Sequence, residues 1–203
     1  MADRTNSEQP TAVQRRTTMA AIMASALVTA VLWYLLWRLL PSPGTSPLNT
    51  ALACSAVAAL LTVVAGVEAI AHERLVTPAI DPLAGFETRR LRVNARYLSN
   101  TVEQFIVFAA GLVALAAYAS SRTLVIVAIV WVLERWAFWI GYHKSSLLRG
   151  LGAPGMLQSM VVLLYVAFCF GEETYGDAAG IGLLVIFAGI EGILFWAVLR
   201  RDQ

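Results

Sequence analysis

Six long apolar runs follow one another through the chain, at residues 19–40, 48–70, 96–119, 123–142, 156–170 and 178–199. About twenty such residues make a helix that crosses the hydrocarbon core of a bilayer. Helices are the form a lone span takes, because lipid offers no partner for an unsatisfied backbone amide or carbonyl. The sequence is 59% hydrophobic and 14% charged with a mean hydropathy of +0.69, far from the balance of a soluble domain. The expected fold is therefore an all-α integral membrane protein with six spans.

The polar segments between the runs set the boundaries. Residues 1–18 carry Arg4, Arg15 and Arg16 and read as a disordered cytosolic tail. The first run is too long for the apolar region of a signal peptide and ends in Trp37-Arg38-Leu39-Leu40-Pro41, so it reads as a retained helix. Pro41, Pro43, Gly44 and Pro47 mark a turn, and the small residues of the next run permit close helix packing. Residues 76–94 form the longest internal polar stretch, with Pro78, Pro82, Gly85 and a basic group of Arg89, Arg90 and Arg92. Ser120, Ser121 and Arg122 turn the chain back, and Gly150, Gly152, Pro154 and Gly155 break it before the fifth run. Glu172, Glu173 and Asp177 make an acidic loop before the sixth.

Six crossings put twelve of the fifteen Lys and Arg residues on the side of the N-terminus, leaving Arg38 and Arg122 opposite and Arg135 within a span. Positive charge marks the cytosolic face, which places both termini and the longest loop there. Nothing points to nucleic acid, since basic patches interleaved with exposed aromatics are absent. Cys54 and Cys169 lie in apolar runs without a partner at metal or redox spacing and read as small buried hydrophobes. A lone His143 beside Lys144 is no metal-ligand set and reads as solvated or in contact with lipid headgroups.

Two polar constellations remain. Arg96, Asn100 and Glu103 are spaced four and three apart, so on a helix they share one face as it enters lipid. A cation, an amide and a carboxylate there form either a structural network or half of a site, and intramembrane ionisable groups are functional candidates by default. The second is the stripe of Arg135, Phe138 and Tyr142, which Arg149 extends if the helix persists two more turns. Trp136 and Trp139 fit an interfacial aromatic belt. Glu68 and Glu73 can snorkel to the interface, whereas Glu191 lies mid-span with no assignable partner.

Arg96-x-x-x-Asn100-x-x-Glu103, followed by the segment from Arg135 to Gly141-Tyr142 and then by Arg149, resembles the MAPEG superfamily. These are the membrane-associated proteins of eicosanoid and glutathione metabolism, and Asn100-Thr-Val-Glu-Gln104 is similar to the bacterial branch. The resemblance covers residues 48–172. It implies a four-helix core, here with an additional N-terminal helix and turn at 19–47 and an additional C-terminal helix and tail at 173–203. It further implies a homotrimer in a bacterial inner membrane, with glutathione as co-substrate bound between neighbouring subunits near the cytosolic side.

By the same resemblance, Arg96, Asn100, Glu103 and Tyr142 contact glutathione, with Arg135 and Arg74 as further binding candidates. Arg149 corresponds to the residue that activates the thiol. Residue types agree, since an Arg can grip a carboxylate of glutathione bidentately and a Glu can accept from its ammonium. Two positions depart from the leukotriene-forming members, where Gln104 and Phe138 replace tyrosines. Eicosanoid synthesis is therefore not implied. The leading expectation is a glutathione-dependent transferase or peroxidase acting on lipophilic molecules met in the membrane lipids. A non-catalytic membrane scaffold or lipid-binding protein on the same fold is the alternative, and a small transporter lined by Glu134, Arg135 and Glu191 is a third, which no inverted repeat supports.

Overall fold

A computed structural model describes residues 12–81, 83 and 85–201. Among the described residues all regular structure is helical, and six helices are long and apolar enough to cross a membrane. The protein is an all-α, multi-pass integral membrane protein. Helix α1 spans Ala12–Leu39, and the second crossing is built from α2 (Pro47–Ala59), a π turn (Leu60–Val64) and α3 (Ala65–Leu75). Helices α4 (Arg89–Leu115) and α5 (Ser121–Lys144) follow, then a 3₁₀ stretch (Ser146–Gly152) that runs into α6 (Ala153–Tyr175), and last α7 (Asp177–Arg201).

Side-chain caps fix most of these starts. Ser46, Thr88, Ser120 and Ser145 each accept a backbone N–H from the first turn that follows, and each such cap contributes about 1 kcal/mol. Pro47 and Pro154 sit in opening turns, where a missing amide costs nothing. Gly176 at φ +85° lets the chain reverse between α6 and α7.

Several boundaries differ from those read in the sequence. Helix α1 begins at Ala12 rather than 19, because Gln14, Arg15 and Arg16 are good helix formers continuous with the apolar run. The first part of the expected disordered tail, residues 1–11, lies outside the described residues. The basic group of Arg89, Arg90 and Arg92 belongs to the first turn of α4, not to a loop. Glu172 and Glu173 end α6 instead of forming a loop.

The core lies where α2, α4, α5 and α6 meet. Small Ala51 and Ala58 on α2 face Phe108, Leu112 and Leu115 on α4 and Leu124, Val127 and Trp131 on α5. Phe108 and Trp131 stack with ring centroids 4.3 Å apart. The π turn widens α2 and frees two carbonyls for side chains of other helices. Tyr97 Oη donates to Thr62 O at 3.3 Å and Trp136 Nε1 to Leu61 O at 3.1 Å. Tyr97 also stacks on Trp139 at 4.4 Å, so part of the expected interfacial belt is internal packing.

The outer helices attach differently. Helix α1 lies along the 3₁₀ stretch, α5 and α6 through a seam of Ala21, Ser25 and Thr29, spaced four apart. Helix α7 packs against α6 and makes no other substantial helix contact among the described residues. Its contact is close, since a Cβ added at Gly171 would lie 2.8 Å from the Gly180 backbone. Glu191 is exposed on α7, beside a shallow recess shared with Leu164 and Tyr165.

Two polar residues read as interfacial are internal. Glu73 is 9% exposed, accepts from Thr88 Oγ1 at 2.9 Å and forms an ion pair with Arg90 Nε at 3.3 Å, which fastens the end of α3 to the start of α4. Half-buried His143 lies 2.9 Å from Asn94 Oδ1, which also accepts from Trp139 Nε1 at 3.0 Å. A buried amide oxygen needs partners, and these two rings supply them.

Candidate functional site

Helix α4 presents Arg96, Asn100 and Glu103 on one face, as their spacing requires. Helix α5 brings Arg135, Phe138 and Tyr142 to the same place, and the 3₁₀ stretch adds Arg149. Together with Gln104, Gly152, Thr18 and Ile22 they line a cavity of about 530 Å³. That volume lies within the roughly 300–1,000 Å³ common for small-molecule sites. It also lies at the end of the bundle that carries most of the cations.

Arg149 arrives by a different route from the one expected. Helix α5 stops at Lys144, because Ser145 turns extended at φ −157°, ψ 142° and its hydroxyl caps the following turn. The tighter 3₁₀ stretch then folds back over α5. Gly152 makes that return possible, since a Cβ there would lie 2.8 Å from Glu134 O and closer still to Phe138 Cβ. Gly141 allows the same approach to the Leu148 carbonyl.

At the back of the cavity Arg135 is fully buried, at 1% exposure. Its Nη1 donates to Asn100 Oδ1 at 3.2 Å and its Nη2 to the Gly152 carbonyl. The guanidinium also lies 5.3 Å from the Phe138 ring centre. Phe138 thus serves the site through its π face, where a tyrosine would add a hydroxyl. Gln104 Nε2 donates to Asn100 Oδ1 at 3.3 Å, so Asn100 accepts from both.

Two buried polar atoms of this group have no protein partner, Arg135 Nε and Gln104 Oε1. A buried donor and acceptor without partners are costly unless a ligand or water completes them. Nearer the opening, Arg96, Glu103 and Arg149 are exposed, and Ser99 Oγ donates to Glu103 Oε1 at 3.4 Å. Three guanidinium groups and one carboxylate thus face one space, an arrangement suited to a ligand with more anionic than cationic groups.

Of the residues expected in the site, Arg96, Asn100, Glu103, Arg135, Tyr142 and Arg149 line this cavity, and Arg74 does not. Arg74 is exposed on α3 and belongs to no wall of it. The six come together within a single chain. Sequence reasoning missed Thr18 and Ile22, which carry no chemical signature. Only their four-residue spacing, alongside the Ala21, Ser25 and Thr29 seam, marks them.

Among the described residues no group of three or more His, Cys, Asp and Glu side chains is placed to hold a metal ion. No curated protein and no solved structure matches the chain. Residues 50–170, which include α4, α5 and all six of these side chains, match the MAPEG family. The match runs over more than half of the 203 residues and leaves α1 and α7 outside. The chain belongs to the MAPEG family.

Proposed function

We propose that this cavity binds glutathione and that the protein is a membrane glutathione transferase or peroxidase acting on lipophilic substrates, with a role in detoxification. The observation that carries this reading is the convergence of Arg96, Asn100, Glu103, Arg135, Tyr142 and Arg149 on one space. Glutathione has two carboxylates, one ammonium and a thiol. Arg96 and the unpartnered Arg135 Nε suit the carboxylates, and Glu103 suits the ammonium.

Arg149 is left for the sulfur. A free thiol with a pKa of about 8.5 is only a few per cent thiolate at neutral pH. A fixed guanidinium beside it favours the anion, and each unit of depression needs about 1.4 kcal/mol of differential stabilisation. In the transferase reaction the thiolate sulfur forms a bond to an electrophilic carbon, whose leaving group departs with its electron pair. In the peroxidase reaction two glutathiones are oxidised to their disulfide while a hydroperoxide is reduced to an alcohol and water.

The excess of positive charge at this end supports a cytosolic position for the cavity, where glutathione is supplied. Homotrimeric assembly belongs to the same reading, and Arg74, exposed on α3 and outside this cavity, is assigned no role in it. Detergent-solubilised protein mixed with glutathione is expected to develop the ultraviolet absorbance of a thiolate, and Arg149→Ala to lose it while still binding the tripeptide. Absence of binding at millimolar glutathione would overturn the reading and favour a scaffold or lipid-binding role.

A further inference from the structure

The 3₁₀ stretch that carries Arg149 is seven residues long. Bonds of the i→i+3 type have poor geometry, and runs beyond three or four residues are uncommon, so neighbours must hold this one in place. Helix α5 holds one side, where Gly141 and Gly152 allow close approach. Helix α1 holds the other, and it meets the stretch more extensively than it meets α5 or α6.

The contact with α1 centres on Gly150, the residue after Arg149. A Cβ there would lie 3.0 Å from Ile22 Cγ1 and 3.3 Å from the Thr18 carbonyl oxygen, so side chain and backbone of one turn of α1 press on the stretch. Gly150 is buried whereas Arg149 is exposed, and both line the arginine-rich cavity together with Thr18 and Ile22. Ile22 is itself held by bonds further along its helix. Two turns on, Thr29 Oγ1 donates to Glu134 Oε1 of α5, and one turn beyond that Trp33 Nε1 donates to Gln158 Oε1 of α6 at 2.7 Å. These two bonds fix α1 against the helices on either side of the stretch in the chain.

Every charged residue of the cavity lies within residues 50–170, which match the family, and α1 lies outside them. We propose that Ile22 is a positioning residue for this site: it wedges the 3₁₀ stretch at Gly150 and thereby sets where the Arg149 guanidinium stands. Loss of the wedge lets the stretch shift toward α1, and Arg149 leaves the place where it stabilises an anion. That this anion is a thiolate rests on the glutathione reading. The hold of Ile22 on the stretch is measurable without glutathione.

The test uses full-length protein in phosphatidylcholine nanodiscs with Ile22→Ala, with Gly150→Ala, and with both, where the added methyl group takes the place of the lost side-chain carbons. Amide hydrogen exchange across residues 146–152 is expected to quicken by roughly threefold or more in each single variant, to return near the wild-type rate in the double variant, and to stay unchanged in α7. With glutathione present, the pH midpoint of the thiolate absorbance is expected to rise by roughly half a unit or more in each single variant, because Arg149 no longer faces the sulfur. It is expected to recover in the double variant. Unchanged exchange in Ile22→Ala, an unchanged midpoint in protein that binds glutathione, or a double variant no closer to wild type than the singles would overturn the wedge. Quickening that spreads equally into α7 would mark general destabilisation and overturn it too. Faster exchange that the double variant reverses, in protein that binds no glutathione, would keep the wedge and sink only the glutathione reading.

Discussion

Arg135 Nη1 donates to Asn100 Oδ1 across 3.2 Å, and this contact joins the two polar constellations of the sequence into one site. It fastens α5 to α4 at the back of the cavity, where Arg135 has only 1% exposure. Asn100→Leu removes the acceptor and leaves a buried cationic donor unpaired, a loss of about 1–3 kcal/mol. A lower unfolding midpoint in detergent is the expected result. Asn100→Asp, which still accepts, is expected to recover most of the stability, and equal losses in both variants would show that the contact does not matter.

How much of this site was legible follows from what spacing can encode. Arg96, Asn100 and Glu103 share a face through helix periodicity alone, and Arg135, Phe138 and Tyr142 do likewise. Arg149 was on the right wall for the wrong reason. A continuing helix would have carried it along α5, whereas Ser145 breaks the helix and the 3₁₀ stretch folds back. Glu73 and His143 read as interfacial because their partners, Arg90 and Thr88 for one and Asn94 for the other, are distant in sequence. The place of α1 was not legible, since a seam of Ala21, Ser25 and Thr29 names no partner helix.

Gly152 decides whether the 3₁₀ stretch can close over α5. Gly152→Ala places a methyl group against Glu134 O and Phe138 Cβ, both anchored by α5, so the stretch must move. Such overpacking costs typically 1–3 kcal/mol. The displacement also carries Arg149 away from Arg135, so weaker glutathione binding is expected together with a lower unfolding midpoint. Gly192→Ala, with open space around its Cβ, is the control and is expected to be neutral or stabilising by up to about 1 kcal/mol. Equal effects of the two substitutions would remove close packing as the explanation.

Thr29 and Glu134 form the side-chain bond that holds α1 to α5 within the span. Thr29→Val keeps the shape and removes the hydroxyl, leaving both oxygens of a buried carboxyl without a donor, because Glu134 Oε2 has none already. The expected cost is about 1–3 kcal/mol. In a double-mutant cycle with Glu134→Gln, a coupling of at least about 0.5 kcal/mol is expected for residues in direct contact. Additive effects would mean that α1 is held by its small-residue seam and not by this bond.

Helix α7 packs against α6 through Gly171 and Gly180, at the opposite end of α6 from the cavity. The polar cavity takes no wall residue from it. Its loss should therefore expose the outer side of α6 without altering the arginine-lined space. Protein ending after Tyr175 is expected to bind glutathione within about twofold of the full chain, a difference of under about 0.5 kcal/mol, as measured by calorimetry. A larger loss of affinity would show that α7 supports the site through α6, and would make Glu191, exposed midway along it, the first residue to substitute.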